Sequence, residues 1–341
     1  MTKELEFKMP DGLIIRGTLE GNISSDNLVV MLHSGGYDRH ERGVKEVKKH
    51  KDGTKELIYY NPLGNYDYLT NLLKQDYCIL RIDQRNHGLS GKNIDREKLT
   101  KKLSKLNVSP QLIKLIIESL LKRDKKLIGE IINTYPNLEN LLNRPPIKDL
   151  SFIQMKDDLK EVMNALPKKA GKEFASIDYV GTCMGTVVLG LYLAENQNKA
   201  NSLTLFSPLY TFDYSFKNPP EGSKFLTEKR KIVEQGRQFR LGNAVEGPNT
   251  LKEIDIISQH FLNNIANLNI PIFCIQGTKD ALIPEKIQTS IFRYLIEHRR
   301  HINETYYAII DGVHCLYDAV FPSVLEAYDF IESNKPKTKQ K

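Results

Sequence analysis

A glycine-flanked cysteine between two apolar stretches is the feature that most constrains the fold of this chain. The segment Val180-Gly-Thr-Cys-Met-Gly185 follows a strand-like run and precedes a helix-like run. A residue on a tight strand-to-helix turn has a strained backbone and needs small neighbouring residues. Gly181 and Gly185 are such neighbours. The helix that follows directs its N-terminus at the Cys183 sulfur, and this stabilises a thiolate. The pattern predicts a cysteine nucleophile above the edge of a sheet, the alternative being a buried structural cysteine.

Strand-like apolar runs alternate with helical patterns along most of the chain. The predicted strands are 5–8, 13–19, 28–32, 78–82, 177–180, 203–206, 270–276 and 306–310, and the clearest predicted helices are 68–74, 151–166 and 187–195. Such alternation is typical of βαβ units, which build a parallel sheet. Asp11-Gly12 between the first two runs indicates a hairpin. We therefore predict an α/β fold with a mostly parallel central sheet flanked by helices.

Two segments, 92–150 and 209–268, do not fit this alternation. Both contain helix-like apolar spacing, and we predict that they form helical caps inserted into one domain that spans 1–335. We expect their apolar residues to pack in the core, the alternative being direct contact with the substrate. The 341 residues fit one large domain with insertions, and residues 336–341 form a basic tail.

Two further residues complete a candidate catalytic set with Cys183. His314 directly follows the last predicted strand, and Asp280 directly follows the strand before it. Both therefore fall at carboxyl ends of parallel strands, the edge where open α/β sheets bind their ligands. We predict that Cys183 attacks, that His314 transfers protons, and that Asp280 orients the imidazole. Asp311 is a competing acid, while Asp280 and His314 have alternative roles as helix cap and core residue.

An acyl-transfer site also needs two backbone N–H donors for a developing oxyanion. We predict that Met184, directly after the cysteine, supplies one of them. The loop after the third strand supplies the other, around Ser34 and Gly35, where Gly35 and Gly36 allow close approach of a carbonyl. The alternative is a glycine-rich turn without a catalytic part. A phosphate-binding loop is excluded because no Gly-Lys-Ser/Thr string follows.

The remaining cysteines do not indicate a disulfide framework or a structural metal site. Cys78, Cys183, Cys274 and Cys315 are far apart, and no pair has C-x-x-C spacing. Cys315, next to His314, is interpreted as a packing residue because it lacks flanking glycines. We expect neither a metal nor a cofactor. The start lacks a signal-peptide core, and the longest uncharged apolar stretch, 179–194, is too short for a membrane helix, so we expect a cytoplasmic protein without a membrane span.

These segments together resemble the α/β-hydrolase superfamily. The resemblance covers four blocks, 5–36, 61–91, 150–208 and 268–331. Asp83-Gln-Arg-Asn-His-Gly-Leu-Ser90 resembles the family's Asp-x-Arg-Gly-x-Gly-x-Ser loop, with Asn86 and His87 as departures. His33-Ser34-Gly35 resembles its His-Gly oxyanion segment with Ser34 for the usual glycine, and Val313 replaces the glycine that often precedes the histidine. The resemblance is specific for the fold, and it says little about the substrate.

A cysteine at the elbow is the minority choice in that superfamily and resembles dienelactone hydrolases, polyhydroxyalkanoate synthases and some thioesterase domains. This resemblance implies cleavage of an ester or thioester through an acyl-cysteine intermediate. The alternative is an acyltransferase or cyclase that passes the acyl group to an amine or hydroxyl. A third possibility is a catalytically silent binding protein, although such proteins usually lack one member of the triad.

The net charge of +7 is spread unevenly over the chain. Residues 39–56 carry +3, residues 92–126 carry +7 and residues 335–341 carry +4, so the rest of the chain is acidic at −7. Basic segments attract anionic partners over long range, and acyl-CoA or an acyl-carrier protein would fit. The alternative is solvated helix faces and a frayed tail. No nucleic-acid-binding motif accompanies the charge, and we expect a small acyl ester or thioester as the substrate.

Overall fold

The computed structural model describes most of the chain, in eight stretches. They are 2–35, 38–41, 44–49, 55–59, 63–209, 224–241, 244–299 and 304–336. Several features from the sequence analysis lie wholly or partly outside them: Gly36, residues 42–43 and 50–54 of the basic segment 39–56, residues 61–62 and 300–303 of the blocks that resemble the superfamily, residues 210–223 and 242–243 of the second predicted cap, and residues 337–341 of the tail.

An eight-stranded sheet forms the centre of the protein. Its strands are β1 (Thr2–Lys8), β2 (Ile14–Gly21), β3 (Asn27–Leu32), β6 (Cys78–Asp83), β7 (Ser176–Thr182), β8 (Ala200–Phe206), β11 (Ile272–Gly277) and β12 (Thr305–Ile310). They are hydrogen-bonded in the order β1-β2-β6-β3-β7-β8-β11-β12. β1 and β2 form the predicted antiparallel hairpin, β2 is antiparallel to β6, and all later neighbours are parallel. The predicted α/β fold with a mostly parallel sheet is therefore confirmed.

Helices cover both faces of this sheet because alternate strand residues point to opposite sides. The helices are α1 (Asn65–Leu73), α2 (Arg96–Lys105), α3 (Pro110–Lys122), α4 (Lys125–Thr134), α5 (Glu139–Asn143), α6 (Phe152–Ala170), α7 (Met184–Glu195), α8 (Lys224–Glu234), α9 (Pro248–Ala266), α10 (Glu285–His298) and α11 (Val320–Ser333). In β3, Leu28 and Val30 belong to a core shared with α6, α7 and α9. Val29 and Met31 belong to the opposite core, which α1 and α11 cover.

The first predicted cap segment is helical and contains α2 to α5. A bridge between Ile94 and Ile147 closes its base. It contacts the second predicted cap directly, since Leu150 N–H donates to the Val245 carbonyl at 2.6 Å and Gln238 Nε2 donates to the Ile147 carbonyl at 3.0 Å. The two inserted segments therefore support each other.

The last helix of the second predicted cap covers the sheet as part of the ordinary helical layer. A Cβ on Gly190 of α7 would lie 2.4 Å from the Phe261 ring of α9, so the two helices are in close contact. Phe261 and Ile265 are buried in the main core. The apolar residues of this helix therefore pack in the core.

Two small hairpins lie outside the central sheet and were not among the predicted elements. They are β4 (Val44–Lys49) with β5 (Lys55–Tyr59), and β9 (Phe239–Leu241) with β10 (Ala244–Glu246). The first is rich in Lys and Glu, so it lacks the apolar alternation that indicates a strand. Among the described residues, no helix is both long and apolar enough to cross a membrane.

Candidate active site

Cys183 lies on a sharp turn between β7 and α7, as the glycine-flanked sequence predicted. It has φ 49° and ψ −108°, a conformation that is uncommon for a residue with a side chain. Gly185 allows α7 to start close to β3, because a Cβ at this position would lie 2.2 Å from the Leu32 carbonyl oxygen. Cys183 N–H donates to the Phe206 carbonyl of β8 at 2.9 Å, which ties the turn to the neighbouring strand. The strained turn is therefore held from both sides.

His314 and Asp280 lie next to each other at this edge of the sheet. The imidazole Nδ1 of His314 is 2.8 Å from Asp280 Oδ2. An imidazole nitrogen of His314 lies within 4.8 Å of the Cys183 sulfur. Nε2 is buried and has no hydrogen-bond partner among the described residues. The fold thus brings the three predicted residues together, although they come from three separate strand ends.

The Asp280 carboxylate is fully buried and is held by several donors. Its Oδ1 accepts backbone N–H bonds from Leu282 at 2.8 Å and Ile283 at 2.9 Å, and Gln276 Nε2 donates to Oδ2 at 2.6 Å. These donors fix the orientation of the carboxylate toward His314. The competing acid, Asp311, lies in solvent and pairs with Lys279 at 2.9 Å.

The electrostatics of the site favour a thiolate next to an imidazolium. The pKa of Cys183 is lowered to about 5, because hydrogen bonding by the Cys315 thiol and the charge of His314 together outweigh burial. Burial opposes a charged imidazole, but the charges of Asp280 and Cys183 hold the pKa of His314 well above its ordinary value. Near neutral pH the sulfur is therefore ionised, and this is the form of cysteine that attacks carbonyl carbon.

Cys315 is part of this site, whereas the sequence analysis interpreted it as a packing residue. Its sulfur and that of Cys183 lie within 4.8 Å of each other. Its backbone is left-handed, with φ 62°, and it is anchored at both ends: Cys315 N–H donates to Ser207 Oγ at 2.8 Å, and Asn65 Nδ2 donates to its carbonyl at 2.9 Å. Its burial raises the pKa of its thiol well above the ordinary value. Its position after His314 was the only sequence signal for this role.

Ser34 and Gly35, the two loop residues predicted to supply the second oxyanion donor, have different surroundings. Gly35 lies beside Met184, since a Cβ on Gly35 would be 3.7 Å from the Met184 sulfur. Met184 is the first residue of α7, so its N–H is one of those left unpaired at a helix start. The Ser34 N–H instead donates to Glu41 Oε2 at 2.7 Å. Gly35 therefore lies next to the Met184 side chain, whereas the Ser34 N–H is bound to Glu41.

Glu41 holds the loop that contains Ser34 and Gly35, and sequence analysis missed it because it lies in a strongly charged segment. Its Oε1 accepts from the Ser34 hydroxyl at 2.6 Å and from the Tyr317 hydroxyl. The side chain is fully buried, and burial raises the pKa of this carboxyl to about 7. Tyr317 lies three residues after His314. Glu41 therefore links the loop that contains Ser34 and Gly35 to the loop that contains His314.

The loop that resembles the Asp-x-Arg-Gly-x-Gly-x-Ser segment has a structural role. Gln84 N–H donates to His33 Nε2 at 2.9 Å, and the rings of His33 and His87 are 5.0 Å apart. Burial lowers the pKa of both histidines, to about 4 and about 3, so both are neutral near pH 7. The departure at His87 therefore supplies a buried ring that packs against the start of the Gly35 loop.

Comparison with known structures agrees with this architecture. The esterase Pf2001 of Pyrococcus furiosus superposes with a TM-score of 0.56 at 15% identity, over 98% of this chain and 92% of that one. Est1E of Butyrivibrio proteoclasticus superposes with a TM-score of 0.57 at 10% identity, over 98% of this chain and 99% of that one. At such identities the likeness concerns the fold alone. No curated protein matches the chain in sequence.

The sequence itself carries the family signal. A profile described as the alpha/beta hydrolase fold matches residues 58–253, which is more than half of the chain and includes the cysteine turn. Together with the order of the strands and the helices on both faces, this match shows that the chain belongs to the α/β-hydrolase family.

Proposed function

We propose that this protein cleaves a carboxylic ester or thioester through an acyl-cysteine intermediate, with Cys183, His314 and Asp280 as a catalytic triad. The observation that carries the proposal is the Asp280–His314 contact of 2.8 Å next to a cysteine on a strained turn. A nucleophile, a base and a group that orients the base are the recurring parts of such sites. That both structural neighbours are named esterases supports ester chemistry.

In the first half of the reaction the acyl group moves to the protein. The Cys183 thiolate attacks the carbonyl carbon, and the negative charge that develops on the carbonyl oxygen is stabilised by N–H groups of Met184 and Gly35. When the tetrahedral intermediate collapses, the bond from carbon to the leaving oxygen or sulfur breaks. The His314 imidazolium gives its proton to that leaving group, which departs as an alcohol or thiol.

In the second half, water releases the acyl group. Neutral His314 accepts a proton from water as the water oxygen attacks the thioester carbonyl, and Asp280 stabilises the imidazolium that results. The carbon–sulfur bond then breaks, and a carboxylic acid leaves. The site returns to the thiolate–imidazolium state that the lowered pKa of Cys183 favours.

A second candidate is acyl transfer from an anionic acyl-CoA or acyl-carrier protein to an amine or hydroxyl. The observation that favours it is a row of exposed lysines on α2, namely Lys101, Lys102 and Lys105. Such a patch speeds the approach of an anionic donor, and salt weakens the effect. If this lysine patch docks the acyl donor, reversing its charges should lower kcat/KM for carrier-bound substrates. The kcat/KM for small uncharged esters should not change. Equal effects on both substrate types would remove this candidate.

The proposal is tested by trapping the acyl-enzyme. Brief incubation with a panel of acyl esters and thioesters, followed by acid quench and intact-mass measurement, should show one added acyl group. Peptide mapping should locate it on Cys183. Cys183→Ala should abolish the adduct, and Cys78→Ala is the matched control because Cys78 is buried in β6. An adduct on another residue, or turnover that survives Cys183→Ala, would overturn the acyl-cysteine mechanism.

A further inference from the structure

Three potential metal ligands meet at the cysteine turn. One atom each from Cys183, His314 and Cys315 lies within 4.8 Å of the other two, and this is the only such group of three His, Cys, Asp or Glu residues in the described chain. In a tetrahedral zinc site, Zn–S distances are about 2.3 Å and Zn–N distances about 2.0–2.1 Å, which puts neighbouring ligand atoms roughly 3.5–3.8 Å apart. Small rotations of these side chains would therefore bring the three atoms to ligand spacing.

The surroundings of His314 match those of a metal ligand. Its Nδ1 is bound by Asp280 at 2.8 Å, while its Nε2 is buried without a hydrogen-bond partner. A histidine that binds a metal usually donates its other ring N–H to a carboxylate, which fixes the ring and increases its basicity. The Asp280–His314 pair thus supplies both the ligand atom and its support.

Cys315 is held where a ligand is needed. Its left-handed backbone is fixed by Ser207 on one side and Asn65 on the other, so its position beside Cys183 does not depend on a flexible loop. Thiolate sulfur and imidazole nitrogen are the donors that zinc prefers, whereas hard cations such as Mg²⁺ prefer oxygen. Two sulfurs and one nitrogen also leave a fourth position open for water.

We propose that Cys183, His314 and Cys315 form a binding site for a thiophilic divalent cation of the Zn²⁺ class, with Asp280 supporting the histidine. Starting from the Cys183 thiolate and the His314 imidazolium, binding releases two protons to solvent, one from the Cys315 thiol and one from His314 Nε2, since metal ligands must be deprotonated. Given the proposed function, the bound cation inhibits the protein, because the Cys183 sulfur and the His314 lone pair cannot hold the metal and react with an ester at once. Cys315 distinguishes metal binding from catalysis, because it is a ligand in the proposed metal site but not a member of the proposed triad.

The metal site can be tested without measuring activity. Purified protein, reduced with a phosphine and freed of metal, is titrated with Co²⁺, and the thiolate-to-cobalt charge-transfer absorption is followed. Zn²⁺ affinity is then measured by competition with a chromophoric chelator. We expect one ion per chain. Asp280→Asn should weaken Zn²⁺ binding by about 10–100-fold, and Cys315→Ala should weaken it further because it removes a ligand.

Two controls keep this result interpretable. Cys78→Ala should bind Zn²⁺ like the wild type, since Cys78 lies in β6 outside the site. Wild-type protein whose Cys183 has been carbamidomethylated should lose the charge-transfer band, which tests the site without any substitution. Absence of the band in the wild type, or equal affinity in Cys315→Ala, would overturn the metal site. Since these readouts need no substrate, they are independent of whether Cys183 forms an acyl-enzyme.

Discussion

The backbone N–H of Ser34 donates a hydrogen bond to the buried carboxylate of Glu41 across 2.7 Å. This donor is therefore already used in the resting protein, although the sequence placed Ser34 in the candidate oxyanion loop. The same bond fixes the loop so that Gly35 lies against Met184. Because the Ser34 N–H is already used, we propose Gly35 as the second donor of the oxyanion site.

Replacing Gly35 by proline removes its N–H, and we expect kcat/KM to fall by about 10²–10³-fold, as for loss of one oxyanion donor. Gly35→Ala keeps the N–H, and its Cβ would only contact the Met184 side chain at 3.7 Å, so it should stay close to the wild type. Protection of the buried Cys78 and Cys274 from iodoacetamide checks that both variants fold. If the two variants had equal activity, the Gly35 N–H would have no part in catalysis.

Asp280→Asn should lower kcat/KM by roughly 10²–10⁴-fold, because the neutral amide neither orients His314 nor stabilises its charged form. Asp311→Asn is the matched control: it changes the same group in the neighbouring loop, but Asp311 pairs with Lys279 in solvent. Steady-state kinetics on a small ester compare the two variants. A larger loss in Asp311→Asn would mean that Asp311, the competing acid of the sequence analysis, is the acid partner.

The rate of Cys183 alkylation should follow its lowered pKa. Because that pKa is about 5, the thiolate fraction is close to its maximum at pH 7 and falls as the pH drops through 5. His314→Ala removes a neighbouring positive charge, so the pKa should rise; once it lies above 6, each further unit lowers the thiolate fraction at pH 6 by up to about tenfold. Iodoacetamide labelling between pH 4 and 9, read by peptide mass, measures this profile. Equal, slow labelling of all four cysteines would contradict an activated thiolate.

Glu41 should make the protein less stable as the pH rises. Burial raises its pKa from 4.5 to about 7, so between these values the folded state holds a proton that the unfolded state has lost. The free energy of unfolding therefore falls from pH 4.5 to 7, by up to about 3 kcal/mol as an order of magnitude, and levels off above that. Glu41→Gln has no proton that titrates in this range, and the hydroxyl groups that bind Glu41 can reorient toward the amide. The difference in the free energy of unfolding between the variant and the wild type should therefore change between pH 4.5 and 7.

Urea unfolding at pH 4.5, 6 and 7.5 measures this difference. Glu97→Gln is the control for the change from acid to amide, since Glu97 is exposed in the first turn of α2. A constant difference between wild type and Glu41→Gln over the three pH values would show that Glu41 does not titrate in this range.

Local sequence patterns determined the elements and the position of the reactive turn. The glycines next to Cys183 are required because other backbone atoms come very close, as at Gly185, which approaches Leu32. Although Leu32 is distant in the chain, the requirement is recorded locally as a glycine, so the turn could be predicted from the sequence. Residues after successive strands were expected at one sheet edge because parallel strands end there together. This is why Cys183, Asp280 and His314 could be named from the sequence and are adjacent in the structure.

Only the tertiary structure decided what surrounds these residues. The bond between Ser34 and Glu41 and the approach of Cys315 to Cys183 join side chains whose direction depends on loop conformation and on packing between separate segments. A strongly charged segment predicts solvent exposure, so the local sequence does not indicate that Glu41 is buried. The left-handed backbone of Cys315 is not indicated by the local sequence either. The sequence therefore specified the backbone that carries the site, whereas long-range packing selected its donors and its second sulfur.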